Sequence, residues 1–306
     1  MIMKRHLDFN FKTRFIFSFL FSILLLGGGN LFAQEEDTNS EKDTRPVENT
    51  FESIWLIDNQ TVMVPIKGTF EFDILHRFGV VSNGYDDFFG FFAPSNLRLG
   101  FNYVPIDRLQ VGFGVTKERR TWDLNVKYAI LKQGISGGFP VSISYLASMG
   151  IDARDKDKLV ESLDRYSYFH QLMVARKVTN ALSLQVSGNL SYRNLPEEVY
   201  DVEGVLFGRM SADHISISLL GRYKITDDMA FIFNYDHPIS SHEVVEVEPE
   251  PNLGFGIEIT TSSHAFQIFA GNYQSIVPQL NHTRNKNKIS DGDFAIGFNM
   301  TRLMNW

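Results

Sequence analysis

Eight ionisable residues, Glu71, Asp73, Arg77, Arg98, Asp123, Lys127, Arg222 and Glu258, lie in segments that alternate between apolar and polar positions. A charge on such a segment cannot face hydrocarbon cheaply. Arg or Lys at a bilayer midplane costs ~2–4 kcal/mol, so these groups must point into water or at one another. They can line a charge-selective aqueous path, or they can pair and hydrogen-bond into a network that fills a narrow interior. Most of them fall in the first four segments, and the later ones offer mainly Ser, Asn and Gln. That distribution favours the filling network, with a lined path as the alternative.

Other residue groups carry weaker signals. His76 precedes a glycine-flanked aromatic run containing Tyr85, Phe88 and Phe89, which can fold inward as a constriction or outward as a contact surface. His237, His242 and Glu243 sit in an acidic, proline-bounded loop and are the only weak candidates for a divalent ion. Their spacing matches no metal motif, so the loop is expected to be solvated, with no metal and no cofactor. Hydrolase elbows, zinc-binding His-Glu-x-x-His helices, phosphate loops and dinucleotide fingerprints are absent, and catalysis is not expected. The one arrangement left for an enzyme is His170 with Ser187, brought together across neighbouring strands at the lipid boundary.

The elements that would hold these groups are strands. About twelve segments alternate with a two-residue period, each near the ~9–11 residues that a tilted membrane strand needs. Trp122, Leu124, Val126, Tyr128 and Ile130 oppose Asp123, Asn125 and Lys127, and Ile215, Ile217 and Leu219 oppose His214, Ser216, Ser218 and Arg222. The connections are short at one set of ends (104–108, 132–138, 177–180, 224–228, 261–263). At the other they are long in five cases of six (79–95, 150–164, 194–212, 237–252, 274–291, against the tight 117–120). Bacterial barrels put short turns in the periplasm and longer loops outside, and an even strand count returns the C-terminus to the periplasm. The last strand, Asp293 to Thr301, leads to Trp306, which is expected to act as the aromatic signal that barrel-assembly machinery reads. The architecture implied is all-β, a closed antiparallel transmembrane barrel.

The N-terminus reads as an export signal: Lys4, Arg5, Lys12 and Arg14, an apolar run from Phe15 to Leu26, and a small residue at Ala33. Residues 1–33 are expected to be cleaved, 34–53 to form a flexible acidic periplasmic lead-in, and 54–306 to form the barrel. Ile54 to Ile57 and Val62 to Val64 read as a piece packed at the periplasmic mouth or, less favoured, as an extra strand. Loss of the signal removes four cations and one anion and takes the formal charge from −7 to about −10, which argues against nucleic acid as a partner. With no cysteine, disulfides and a lipoprotein route are excluded.

The block from Phe70 to Gln133 resembles the DUF5777 family of Bacteroidetes barrel proteins. The matching residues are His76-Arg77-Phe78-Gly79, Phe88-Phe89-Gly90, Ser95-Asn96-Leu97-Arg98-Leu99-Gly100, Asp107-Arg108-Leu109-Gln110-Val111-Gly112, and Asp123-Leu124-Asn125-Val126-Lys127-Tyr128 with Gln133. The chain departs from the family's pattern at Phe91-Phe92-Ala93-Pro94. The resemblance implies an outer-membrane barrel of a Gram-negative bacterium and brings no established activity. The function expected is a narrow passive channel for small polar solutes or a structural barrel, in contact with outer-membrane lipid and lipopolysaccharide. The alternatives are adhesion through the long loops and a membrane-embedded hydrolase.

Overall fold

A computed structural model describes residues 43–155, 161–242, 244 and 247–305; the signal segment, Glu243 and Trp306 lie outside the described residues. In chain order the strands are β1 (Trp55–Leu56), β2 (Asn59–Gln60), β3 (Thr69–Val80), β4 (Asn96–Ile106), β5 (Leu109–Thr116), β6 (Thr121–Leu131), β7 (Ser142–Asp152) and β8 (Tyr166–Lys177). They continue with β9 (Leu182–Arg193), β10 (Glu198–Tyr200), β11 (Leu206–Arg209), β12 (Asp213–Lys224), β13 (Met229–Pro238), β14 (Asn252–Thr260), β15 (His264–Gly271) and β16 (Ala295–Asn305). Among the described residues one α-helix, α1 (Pro278–Arg284), interrupts the last long loop.

Twelve of these strands, β3 to β9 and β12 to β16, form a closed antiparallel barrel, in which β16 pairs with β3 from Asn305↔Thr69 to Ala295↔Val80. Closure leaves no open edge, so backbone groups are satisfied within the sheet where no water could serve them. All twelve segments read from the alternation are strands of this barrel. Lipid-side positions are wide open, as at Trp122, Leu124, Val126 and Tyr128, whose exposures run from 45% to 52%, while Asp123, Asn125 and Lys127 between them are buried. Along this stretch of β6 the polar side chains face inward and the apolar ones outward.

Two of the short turns, 177–180 and 224–228, share their bonding. Val178 N and Thr179 N both donate to Leu182 O, and Ile225 N and Thr226 N both donate to Met229 O. The turn after β4 differs: Ile106 faces Leu109 directly across Asp107 and Arg108, with Arg108 at φ 70°.

The segment before the barrel corrects the reading of a piece packed at the periplasmic mouth. Residues 54–64 run up inside the lumen as a β1–β2 hairpin, and Leu56, Ile57 and Asp58 are out of contact with water. The reason is that their apolar side chains find partners only on inward-facing apolar positions. Phe51, Leu56, Ile57 and Val62 join Leu146, Phe169, Met173, Leu220, Ile232 and Phe269 in one cluster. At the hairpin tip Ile57 has φ 58°, which a β-branched residue adopts only where its surroundings dictate it. Those surroundings are Gln267, which accepts from Ile57 N, and Arg77 and Asn299, which donate to Ile57 O.

Candidate functional site in the barrel interior

All eight ionisable residues singled out in the sequence face the interior and are buried. The strand periodicity puts them there, and their partners divide them into three groups. Arg98 on β4 reaches Asp73 on β3 (Nη1 to Oδ1, 2.6 Å) and grips Asp123 on β6 through Nε (2.9 Å) and Nη2 (2.8 Å), a bidentate fork that a Lys could not make. Asn102 donates to the other oxygen of Asp73 at 2.9 Å, and Glu71 lies on the same strand face with its Oε1 unpartnered among the described residues. Gly100 and Gly114 make this bridge possible, because a methyl group at either position would collide with the Arg98 guanidinium and a carboxylate. In the second group Arg222 pairs with Glu258 at 2.6 Å. In the third, the cations serve the hairpin. Lys127 Nζ donates to Gln60 Oε1 at 2.7 Å, and Arg77 donates to Asn299 and to Ile57 O while lying 4.5 Å over the Phe269 ring.

The amides and hydroxyls of the later strands turn out to clamp the hairpin backbone. Gln185 on β9 accepts from Val62 N and donates to Gln60 O, each at 2.8 Å. Gln267 on β15 accepts from Ile57 N at 2.9 Å and donates to Trp55 O at 2.8 Å, and Ser144 on β7 donates to Val62 O. Side chains thus take the part that a partner strand would play, so the buried peptide groups are not left unpaired. Composition alone could not reveal this, because each clamp joins residues more than 80 positions apart.

The hairpin also meets the loop side. Asp58 at its tip accepts from Asn234 (2.7 Å) and Tyr273 (3.1 Å), and it contacts Asn281 of α1, which folds inward from the last long loop. Sequence reading missed Asp58, Asn281 and Tyr273. The available signal was a lone Asp in an apolar run, which needs a polar partner wherever that run is buried.

The remaining candidates lie elsewhere. His76 is on the lipid side, stacked on Phe298 at 5.1 Å, so it forms no constriction. Tyr85, Phe88 and Phe89 are exposed on the loop side, which leaves the outward alternative for that run. His170 bonds Tyr145 on the lipid face, while Ser187 is buried in the lumen beside Gln185; the two do not form a pair. His237 bonds Tyr235, and His242 is turned inward between Ser211 N and Thr283 O. Among the described residues no cluster could hold a metal ion.

A closed twelve-strand sheet with this inverted polarity is matched over residues 51–304 by the family model of a membrane-bound β-barrel domain, DUF5777. The chain belongs to the DUF5777 family. Among solved structures it is similar to the COG4313 outer membrane channel of Pseudomonas putida F1 (11% identity, 79% of this chain and 97% of that one, TM-score 0.47). It is also similar to the KdgM porin (8%, 76% and 98%, TM-score 0.44) and to Salmonella typhi OmpF in complex with daunomycin (5%, 77% and 97%, TM-score 0.40). No curated protein matches the chain. The protein is thus a membrane-bound β-barrel.

Proposed function

We propose that the barrel rests closed, with a structural role, and passes small polar solutes only when its N-terminal hairpin leaves the lumen. One observation carries this reading. Every barrel strand presents an interior side chain no more than 3% exposed, among them Asp73, Gln110, Lys127, Ser144, Gln185, Ser218, Glu258 and Asn299. A conducting path would wet such side chains. In planar bilayers the folded full chain is expected to give no steady conductance at moderate voltage. A stable open state in the untreated protein would overturn the reading.

On this proposal the chain is exported through the Sec-type signal of residues 1–33 to the outer membrane of a Gram-negative cell, acts without catalysis, and meets lipopolysaccharide and the assembly machinery. Trp306 is proposed as the assembly signal, since an aromatic at the periplasmic boundary anchors the strand that closes the sheet. Trp306→Asp should leave export intact and lower the heat-modifiable barrel recovered from outer membranes. Unchanged recovery would reduce Trp306 to a girdle residue.

A further inference from the structure

The loop-side mouth carries a charged assembly that the lumen network does not use. Glu197, between β9 and β10, is held by three guanidiniums: Arg119 of the tight β5–β6 hairpin, Arg193 at the end of β9 (3.0 Å) and Arg284 at the end of α1 (3.0 Å). Three cations converge on this one carboxylate, with Glu118 as a second anion near Arg284. Of the other carboxylates here, Asp152 is engaged by Arg154 at 2.6 Å and Glu198 by Arg209 at 2.8 Å, Asp164 accepts from Glu161 N, and Glu118 accepts from Asn96 and Ser275. Burial pushes the Glu197 carboxyl up, but the guanidiniums of Arg119, Arg193 and Arg284 outweigh it and hold it below its ordinary range.

The assembly is built into the wall. Arg193 is only 8% exposed, and its Nε has no hydrogen-bond partner among the described residues. Arg119 and Arg120 stand in succession at φ 55° and 49°, a strained conformation for non-glycine residues, and Arg119 reaches Glu197 from it across 78 positions of sequence. A cavity of about 590 Å³ opens over the cluster, within the ~300–1,000 Å³ of small-molecule sites. Its wall combines Arg119, Arg193 and Glu197 with the rings of Tyr166 and Tyr200 and with Leu280. A second cavity, about 540 Å³, shares Glu197 and brings Arg284 and Lys286 to its other side.

A carboxylate held by three guanidiniums, one contact from each, occupies the position that a ligand oxyanion would take. We propose that this basin binds an acidic saccharide, whose carboxylate or phosphate oxygens displace the Glu197 side chain from Arg119, Arg193 and Arg284 while the sugar lies against the Tyr166 and Tyr200 wall. A bare inorganic anion would leave most of the cavity empty, and a neutral sugar would leave the cations with Glu197.

The test uses the full chain folded in detergent, with folding checked by heat modifiability. It is titrated with trigalacturonate, with maltotriose as the neutral control and with inorganic phosphate as competitor, and separately with lipopolysaccharide in vesicles. Saturable binding of trigalacturonate or of lipopolysaccharide is expected, and the arm that saturates names the source as soluble or lipid-borne. Raising salt from 50 to 300 mM should weaken binding about tenfold or more. Glu197→Gln removes the internal competitor and should tighten binding about three- to tenfold, whereas Arg119→Gln should weaken it about tenfold. Should the arginine variant fail to fold, Glu197→Gln alone decides. Equal or weaker binding by folded Glu197→Gln, equal binding of maltotriose, or saturation in neither arm overturns the proposal.

Discussion

Deleting residues 43–64 should turn a silent barrel into a conducting one. The sheet does not need this segment to close, because β16 pairs with β3 directly, β1 and β2 pair with each other, and residues 43–47 bond to the connection at 133–137 rather than to a barrel strand. What the deletion removes is the occupant of the lumen. Gln185, Gln267, Asn299 and Ser144 lose their backbone partners, but water entering the freed space replaces those bonds at little cost. Stepwise openings are therefore expected in planar bilayers where the full chain gives none. A second variant exploits the absence of cysteine from the chain. Ser53 Oγ and Thr301 Oγ1 lie 3.2 Å apart, so Ser53→Cys with Thr301→Cys should form a disulfide that fastens the foot of the hairpin to β16. Any openings of that variant seen with reductant should vanish on oxidation. A deleted chain that is heat-modifiable yet silent would mean that α1 and the inner charges seal the lumen alone.

Replacing Arg98 should be the most damaging single change in the wall. Its guanidinium neutralises two buried carboxylates, Asp73 and Asp123, and lies 5.2 Å from the Trp55 ring of the hairpin, so one side chain ties three strands to the plug. Arg98→Met leaves both carboxylates uncompensated, and removing one partner of a buried pair costs ~3–5 kcal/mol. The urea midpoint of the folded barrel should fall accordingly. Arg98→Lys should recover only part, since an ammonium cannot make the bidentate contact to Asp123. The triple variant with Asp73→Asn and Asp123→Asn should recover most of the loss, because replacing the whole network by neutral groups removes the unpaired charges together with the pairing. An unchanged midpoint for Arg98→Met would show that the triad contributes nothing to holding the wall.

These expectations rest on features of different legibility. The twelve strands could be read because a strand in a membrane obeys a local rule: every second residue meets lipid, and a charge there is expensive. Hence Lys127 and Asp123 were assignable to the interior from their neighbours Val126 and Leu124 alone, and the loop parity followed from counting. Alternation is less clear in β8, where Leu172-Met173-Val174 stand in a row because three of its inward positions, Phe169, Met173 and Ala175, are themselves apolar. Phe169 and Met173 belong to the cluster that receives the hairpin.

The hairpin is where local rules ended. Ile54 to Val64 has no lipid face and no period of its own, and nothing near it in sequence says that Gln185 and Gln267 will take its peptide groups. The same holds for Glu197, whose three arginines come from the β5–β6 hairpin, the end of β9 and the end of α1. The sequence by itself determined the barrel, its strand number and which side chains point inward, because each depends on alternation within about ten residues. Only the tertiary structure decided whether those inward groups would face water or the chain's own hairpin, because that depends on closing the sheet around a segment that precedes it.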